Sequence, residues 1–220
     1  MDQDQYPINV DGWFASGWHT FRKRAGTLFS GVAVLFLYFI LLTGAGSLPG
    51  GDAVVILLQL TVGLALSAGW LLFCLRLVRG EETGASDMFE PFRRFGAVWG
   101  VSIWVSLLVA GGLFLFVIPG VYLMLRYGLA VFACVDGKLS PGESMRLSSD
   151  ITSGHRWQLL VLYGIMIGLY GLSVFPYIVD LGGLGALTVP VYNFILTPLL
   201  GTAYASAYDS LVSTGEEGSG

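Results

Sequence analysis

Arg126 is the side chain best placed to do chemistry in this sequence of 220 residues, because it interrupts a long apolar stretch. A charge inside a membrane-spanning helix is costly unless it is paired or reaches water. The guanidinium offers a planar fork of hydrogen-bond donors that matches a phosphate or a carboxylate. The sequence therefore makes Arg126 the first candidate for an anion-binding site.

Three more polar side chains are predicted to lie at a similar depth: Gln59, Tyr192 and Asn193. Residues Asp52, Gly120 and Gly185 mark the ends of the three stretches that lack Lys and Arg. Counted from these residues at 1.5 Å per residue, all four side chains lie about 9 to 12 Å inside. They would form one polar layer, and a ligand site, if their helix faces converge. The alternative is structural, with Arg126 snorkelling to headgroups or joining helices by hydrogen bonds.

Signatures of catalysis and of metal binding are weak. His19 and His155 have no His or Cys partner at ligand spacing. The polar run 148–152 lacks the G-x-S-x-G pattern of a nucleophilic serine. Asp52 and Asp180 lie in Gly-rich turns, and nothing in the sequence fixes their distance. We therefore expect no catalytic residue, no metal and no cofactor.

The elements that must position these residues are long and apolar. The chain is 55% hydrophobic and 12% charged, with a mean hydropathy of +0.73, whereas soluble domains average about 25% charged residues. A membrane-spanning helix needs about 20 apolar residues. Stretches that fit this reading are 27–46, 53–78, 97–117, 121–135, 157–179 and 187–211. The sequence predicts a single all-α integral membrane domain of six transmembrane helices in three hairpins, with tails at 1–10 and 212–220.

The positive charges predict the topology. Every Lys and Arg except Arg126 lies before the first stretch, in the second or fourth connection or, for Arg76, in the last three residues of the second stretch. Cytoplasmic loops are enriched in these residues, so both termini are predicted to be cytoplasmic in a bacterial inner membrane. The fourth stretch has only 15 residues between Gly120 and Asp136, which places the predicted turn at Ile118, Pro119 and Gly120 below the outer surface.

Each cytoplasmic segment contains a stretch predicted to be a short amphipathic helix at the membrane interface. The first is 11–24, the second carries Met88, Phe89, Phe92 and Phe95, and the third begins with a capping box at Ser140 and Glu143 and ends at Gly154. Aromatic and basic side chains in and beside these helices are predicted to anchor the protein to membrane lipids. They are Trp13, Phe14, Trp18, Phe21, Arg22, Lys23, Arg24, Arg93, Arg94, Arg156 and Trp157.

Small residues indicate close helix contacts. Gly164 and Gly168 share a face of the fifth stretch, and Gly201 and Ala205 repeat this spacing in the sixth. Packing within one chain is the first reading, and self-association or contact with other membrane proteins is the alternative. The acidic residues lie beside the basic ones, so nucleic acid is not an expected partner.

Four short strings give this chain a family resemblance. They are GWHTFRKR (17–24), IPGVYLMLRYGLA (118–130), SSDITSGHRW (148–157) and TPLLGTAYASAYDSL (197–211). Together they resemble uncharacterised bacterial six-span proteins related to the membrane domain of glycerophosphodiester phosphodiesterases. The resemblance implies a fold and a location. It brings no catalytic residue, because the esterase chemistry of that group lies in a separate soluble domain.

Two functions follow as expectations. The first is a non-enzymatic membrane or lipid-associated accessory or scaffold factor. The second is a small transporter or channel with an anion or lipid-headgroup site around Arg126. A membrane-embedded enzyme is a third, less favoured alternative. The apolar stretches lack acidic residues well inside them, which disfavours a proton-coupled pump.

Overall fold

The computed structural model describes residues 9–179 and 183–217, and over these residues the chain is helical without a strand. In chain order the elements are α1 (Val10–Lys23), α2 (Ala25–Gly46), α3 (Gly51–Leu58), a π-helical turn (Gln59–Gly63), α4 (Leu64–Val78), a 3₁₀ helix (Ala85–Arg94), α5 (Phe95–Leu115), α6 (Val117–Tyr127), α7 (Ala130–Asp136), α8 (Pro141–Ile151), α9 (Arg156–Ile178) and α10 (Gly183–Glu217). Helix α10 thus continues into the segment predicted as a C-terminal tail.

Four helical segments are long and apolar enough to cross a membrane: Ala25–Gly46, Gly51–Val78, Ala85–Leu115 and Val117–Asp136. A shorter apolar helix covers Arg156–Leu172. The apolar side chains of α2 and α5 are largely exposed, as with Leu37 at 68% and Trp104 at 60%. Such surfaces suit lipid rather than water. The prediction of an α-helical, multi-pass membrane protein is confirmed at this level.

The helix formed by α3 and α4 contains a wide turn whose freed carbonyls are bound by neighbouring helices. The Tyr38 hydroxyl of α2 donates to the Leu58 carbonyl oxygen at 3.0 Å. The Trp99 indole of α5 donates to the Leu60 carbonyl oxygen at 3.0 Å. An unpaired backbone group in lipid costs several kcal/mol, so these two side chains stabilise the π-helical turn.

The connection between α5 and α6 differs from its prediction. A single extended residue, Phe116, separates the two helices, and Pro119 lies in the first turn of α6, where a missing N–H costs nothing. The predicted turn at 118–120 is therefore helical. The hairpin is tight because a Cβ on Gly112 would lie 2.8 Å from the Cα of Gly120. The segment formed by α6 and α7 has 20 residues, which is long enough to cross a membrane, whereas 121–135 alone is too short.

The helix is interrupted between α6 and α7, and side chains from other helices donate hydrogen bonds to the backbone carbonyls left free there. The Ser148 hydroxyl of α8 donates to the Arg126 carbonyl oxygen at 2.9 Å. The Tyr204 hydroxyl of α10 donates to the Gly128 carbonyl oxygen at 2.8 Å. The last carbonyls of a helix have no partner within it, so α8 and α10 fix the direction in which α7 leaves.

Helix α1 packs against α10 through small residues. A Cβ on Gly17 would lie 2.7 Å from the backbone nitrogen of Ala203. The Thr202 hydroxyl donates to the Gly17 carbonyl oxygen at 3.2 Å, and the Trp13 indole donates to the Ser210 hydroxyl at 2.8 Å. The buried residues of α1 are Gly12, Trp13, Gly17 and Thr20, so Trp13, predicted as a lipid anchor, is instead buried in the protein.

The 3₁₀ helix packs along α4. Met88 is fully buried, and its backbone lies against Gly69, where any Cβ would overlap the Met88 carbonyl. Arg76 of α4 forms ion pairs with Glu90 at 2.5 Å and with Asp87 at 3.7 Å. The segment predicted to lie on the membrane surface thus has one face buried in the protein, while Phe89 stays 50% exposed.

Helix α8 begins as its sequence predicts. The Ser140 amide donates to Oε2 of Glu143 at 2.9 Å, and the Glu143 amide donates to the Ser140 hydroxyl at 3.5 Å. The Ser140 hydroxyl also donates to Oε2 of Glu143 at 2.6 Å, and this bond together with that from the Ser140 amide lowers the pKa of Glu143. The capping box is confirmed, and the helix ends at Ile151, just before a turn in which Gly154 has a φ of 90°.

Candidate anion-binding site

A groove between α6 and α8 contains Arg126. The groove has a volume of about 520 Å³. Its walls are formed by the end of α6 and one face of α8, with the residues Arg126, Tyr127, Gly142, Met145, Arg146, Ser149 and Asp150. We call it the Arg126 groove.

The Arg126 side chain is positioned by one hydrogen bond and leaves most of its donors available. Its Nε donates to the Ser149 hydroxyl at 2.8 Å. Among the described residues, no hydrogen bond or ion pair engages the two terminal nitrogens. The guanidinium carbon lies 5.3 Å from the ring centre of Tyr127. The half-buried guanidinium is thus held at one edge while its fork of donors faces the groove.

The charge in the groove is positive. Arg146 and Asp150 lie one turn apart on α8, and both are exposed. Arg146 forms no ion pair within the part of the chain that the structure describes. The groove is therefore lined by two guanidinium groups and one carboxylate, and this excess of positive charge favours an anionic ligand.

A third guanidinium lies near the same face of α6. The guanidinium carbon of Arg156, at the start of α9, is 4.9 Å from the ring centre of Tyr122. Tyr122 is one turn before Arg126, and residues four apart share a helix face. The Nε of Arg156 is buried without a hydrogen-bond partner among the described residues. Trp157 beside it is 74% exposed, at a position suited to a membrane interface.

Gln59 lies elsewhere. Its Oε1 accepts a hydrogen bond from the Tyr38 hydroxyl at 3.1 Å. Arg126 donates instead to Ser149 of α8. The structure therefore gives the two residues different partners on different helices. The side chains of Tyr192 and Asn193 lie outside the described part of the chain.

The predicted anchor residues of α1 have different surroundings. Trp13 is 2% exposed and belongs to the core with α10, whereas Trp18 is 49% exposed. Phe14 and Phe21 are partly buried against the core. Arg22 and Lys23 are exposed, and they line a groove of about 510 Å³ with Trp18 and His19.

Arg24 joins three elements. Its terminal nitrogens donate to the carbonyl oxygens of Gly80 at 2.7 Å and Glu81 at 2.5 Å. These carbonyls follow the end of α4, and Arg24 itself lies between α1 and α2. Arg24 therefore fixes the turn after α4, in addition to any role at the membrane surface.

A charged cluster that the sequence analysis missed connects α4, α7 and α10. Arg79 donates to both carboxylate oxygens of Asp136 and, through Nε, to Oδ1 of Asp209 at 2.7 Å. The Tyr208 hydroxyl adds a bond to Oδ2 of Asp136 at 3.3 Å. Burial opposes the charge on Arg79, but the two carboxylates outweigh it and raise its pKa. The only signal in the sequence was that Asp136 and Asp209 lie at the ends of apolar stretches.

Comparison of the chain with models of protein families, with curated proteins and with solved structures finds no match. Among the described residues, no three or more His, Cys, Asp or Glu side chains form a group that could hold a metal ion.

Proposed function

We propose that this chain is a six-span protein of the bacterial inner membrane that binds the phosphate groups of anionic lipids in the Arg126 groove. In this role it is an accessory or scaffold factor without a reaction of its own. Both termini are cytoplasmic, and membrane lipids are its first partners.

The six-span arrangement is supported by helix length and by charge. Helices α9 and α10 have 23 and 35 residues, which correspond to about 34 and 52 Å. Each is long enough to cross a hydrocarbon core of about 30 Å. The distribution of Lys and Arg supports a cytoplasmic position for α8 and hence for the Arg126 groove, on the side of the membrane where anionic headgroups attract basic residues.

The observation that carries the lipid-binding proposal is the free fork of Arg126 next to Arg146. The guanidinium is not needed to hold α8 against α6, because the Ser148 hydroxyl of α8 already donates to the backbone carbonyl of residue 126. Any side chain at this position keeps that bond. The available donors of Arg126 and the positive charge of Arg146 instead suit a phosphate oxygen.

The thermal stability of the purified protein with added phosphatidylglycerol or phosphatidylcholine tests the proposal. Phosphatidylglycerol should stabilise the parent by about 2.7 kcal/mol at a hundredfold excess over its dissociation constant. Arg126→Met should stay folded, since an apolar replacement of a buried charge is often neutral, and should lose most of this gain.

Ser149→Ala is the matched control, because it removes the one hydrogen bond to the Arg126 side chain and keeps the charge. It should retain most of the lipid effect. Equal stabilisation of the parent and Arg126→Met by phosphatidylglycerol would overturn the proposal, as would the absence of any stabilisation in the parent.

A further inference from the structure

We propose that a second basic pocket, separate from the Arg126 groove, binds a phosphate monoester group. The pocket lies between α4, the 3₁₀ helix, the start of α5 and the end of α7, and has a volume of about 210 Å³. Its basic residues are Arg93, Arg94 and Lys138. It shares no residue with the Arg126 groove, so this inference does not depend on the proposed function.

The pocket is polar at its rim and apolar at its base. Arg93, Arg94 and Lys138 are exposed. Five buried residues form the base: Leu72, Pro91, Val98, Cys134 and Val135. A site with cations at the rim and carbon atoms below accepts a charged group that carries a small apolar part.

The positive charge of the pocket is not neutralised by its own carboxylate. Glu90 is the acidic residue in the lining, and it forms an ion pair with Arg76. Arg93, Arg94 and Lys138 form no ion pair with any described residue. The three cations can therefore all serve one ligand.

Lys138 occupies a backbone conformation that normally favours glycine. Its φ is 51°, and it is the one non-glycine residue among those described with a positive φ. The left-handed region costs a residue with a Cβ about 1 to 2 kcal/mol. A lysine held there at the rim of a cationic pocket fits a role for its ammonium group, because strained residues concentrate at ligand sites.

Charge and size select the ligand class. Three cations suit a phosphate monoester, whose charge is between one and two units at neutral pH, better than a diester with a single charge. The volume is below the range of about 300 to 1,000 Å³ typical of larger ligands. The pocket therefore fits a headgroup phosphate, as in phosphatidic acid, or a free phosphate, while acyl chains stay outside.

The test measures binding of two probes by the full-length protein in phosphatidylcholine nanodiscs. One probe is inorganic phosphate, and the other is phosphatidic acid incorporated in the nanodisc. Arg94→Gln/Lys138→Gln should weaken binding about tenfold or more, since two charge-assisted hydrogen bonds are lost. Arg22→Gln/Lys23→Gln removes the same charge at the groove beside Trp18 and His19. Because these two residues are predicted lipid anchors, this control uses inorganic phosphate, whose binding should change less than about twofold.

Lys138→Gly separates loss of the site from loss of the fold. This substitution removes the strain of a Cβ in the left-handed region and should raise thermal stability. It also removes the ammonium group and should weaken binding. Binding of phosphatidic acid without inorganic phosphate would assign the site to a lipid headgroup, and binding of both would assign it to the phosphate group itself.

Three results would overturn the proposal: no binding of either probe by the parent, an equal loss in the Arg22 and Lys23 control, or unchanged binding in Arg94→Gln/Lys138→Gln. Arg126→Met removes the other proposed phosphate site, so the loss of binding in Arg94→Gln/Lys138→Gln should persist in an Arg126→Met background, and a failure of the Arg126 groove and a failure of this pocket are distinguishable.

Discussion

Arg79 and Asp136 form a two-pronged ion pair, in which the terminal nitrogens of Arg79 lie 2.5 and 2.9 Å from the two carboxylate oxygens of Asp136. Asp209 binds the remaining Nε of the same guanidinium. The three side chains are 27, 20 and 8% exposed. One guanidinium thus ties together the ends of α4 and α7 and the later part of α10.

The first prediction concerns this cluster. Arg79→Gln should lower the free energy of unfolding by about 3 kcal/mol, because it leaves two largely buried carboxylates without their cation. Adding Asp136→Asn and Asp209→Asn should restore part of that loss. Unfolding in detergent, followed by circular dichroism, measures both effects. Strictly additive losses would show that the three residues do not act as one unit.

The second prediction concerns the docking of α1 on α10. Gly17→Ala places a Cβ within 3 Å of the Ala203 backbone and should destabilise the protein by about 1 to 3 kcal/mol. Gly26→Ala is the control, because its Cβ meets nothing within 4 Å. It should be neutral, or stabilising by up to about 1 kcal/mol through helix propensity. Similar thermal stability of the two variants would argue against the contact.

The third prediction separates two roles of the basic residues after α1. Arg24→Gln should lower thermal stability by about 1 kcal/mol, since hydrogen bonds to the Gly80 and Glu81 carbonyls are lost. Arg22→Gln/Lys23→Gln should leave stability unchanged and reduce the fraction of chains inserted with a cytoplasmic N-terminus. Protease protection of an N-terminal tag measures orientation. The same stability loss in both variants would contradict this division.

The fourth prediction concerns topology. In a background with Cys74 and Cys134 replaced by alanine, a cysteine at Ser47 or Phe116 should react with a membrane-impermeant maleimide added to intact spheroplasts. Cysteines at Gly84 and Leu139 should react only after lysis. Gly84 tolerates the change, because the nearest atom to its added Cβ is 3.7 Å away. Labelling of Leu139 from outside would remove the span formed by α6 and α7.

Local patterns predicted the elements better than they predicted the contacts. The capping box of α8 followed from Ser140 and Glu143, because a cap is formed by residues three apart. Apolar length likewise predicted helices that can cross a membrane. The turn between α5 and α6 was misplaced because Pro119 and Gly120 look like a turn, although proline also fits the first turn of a helix.

Long-range packing could not be predicted from these patterns. The aromatic face of α1 suits lipid and protein equally, and only the tertiary structure directs Trp13 to Ser210. The partners of Arg79 lie 57 and 130 residues away in sequence. A similar predicted depth likewise did not reveal that Gln59 pairs with Tyr38 of α2, whereas Arg126 pairs with Ser149 of α8.

The central claim is that Arg126 and Arg146 together hold an anionic lipid. Native mass spectrometry of the protein released from nanodiscs that contain equal amounts of phosphatidylglycerol and phosphatidylcholine counts the lipids that remain bound. We expect at least one phosphatidylglycerol on the parent and on Ser149→Ala, and one fewer on Arg126→Met/Arg146→Met. The same number and type of retained lipids on all three proteins would contradict the claim.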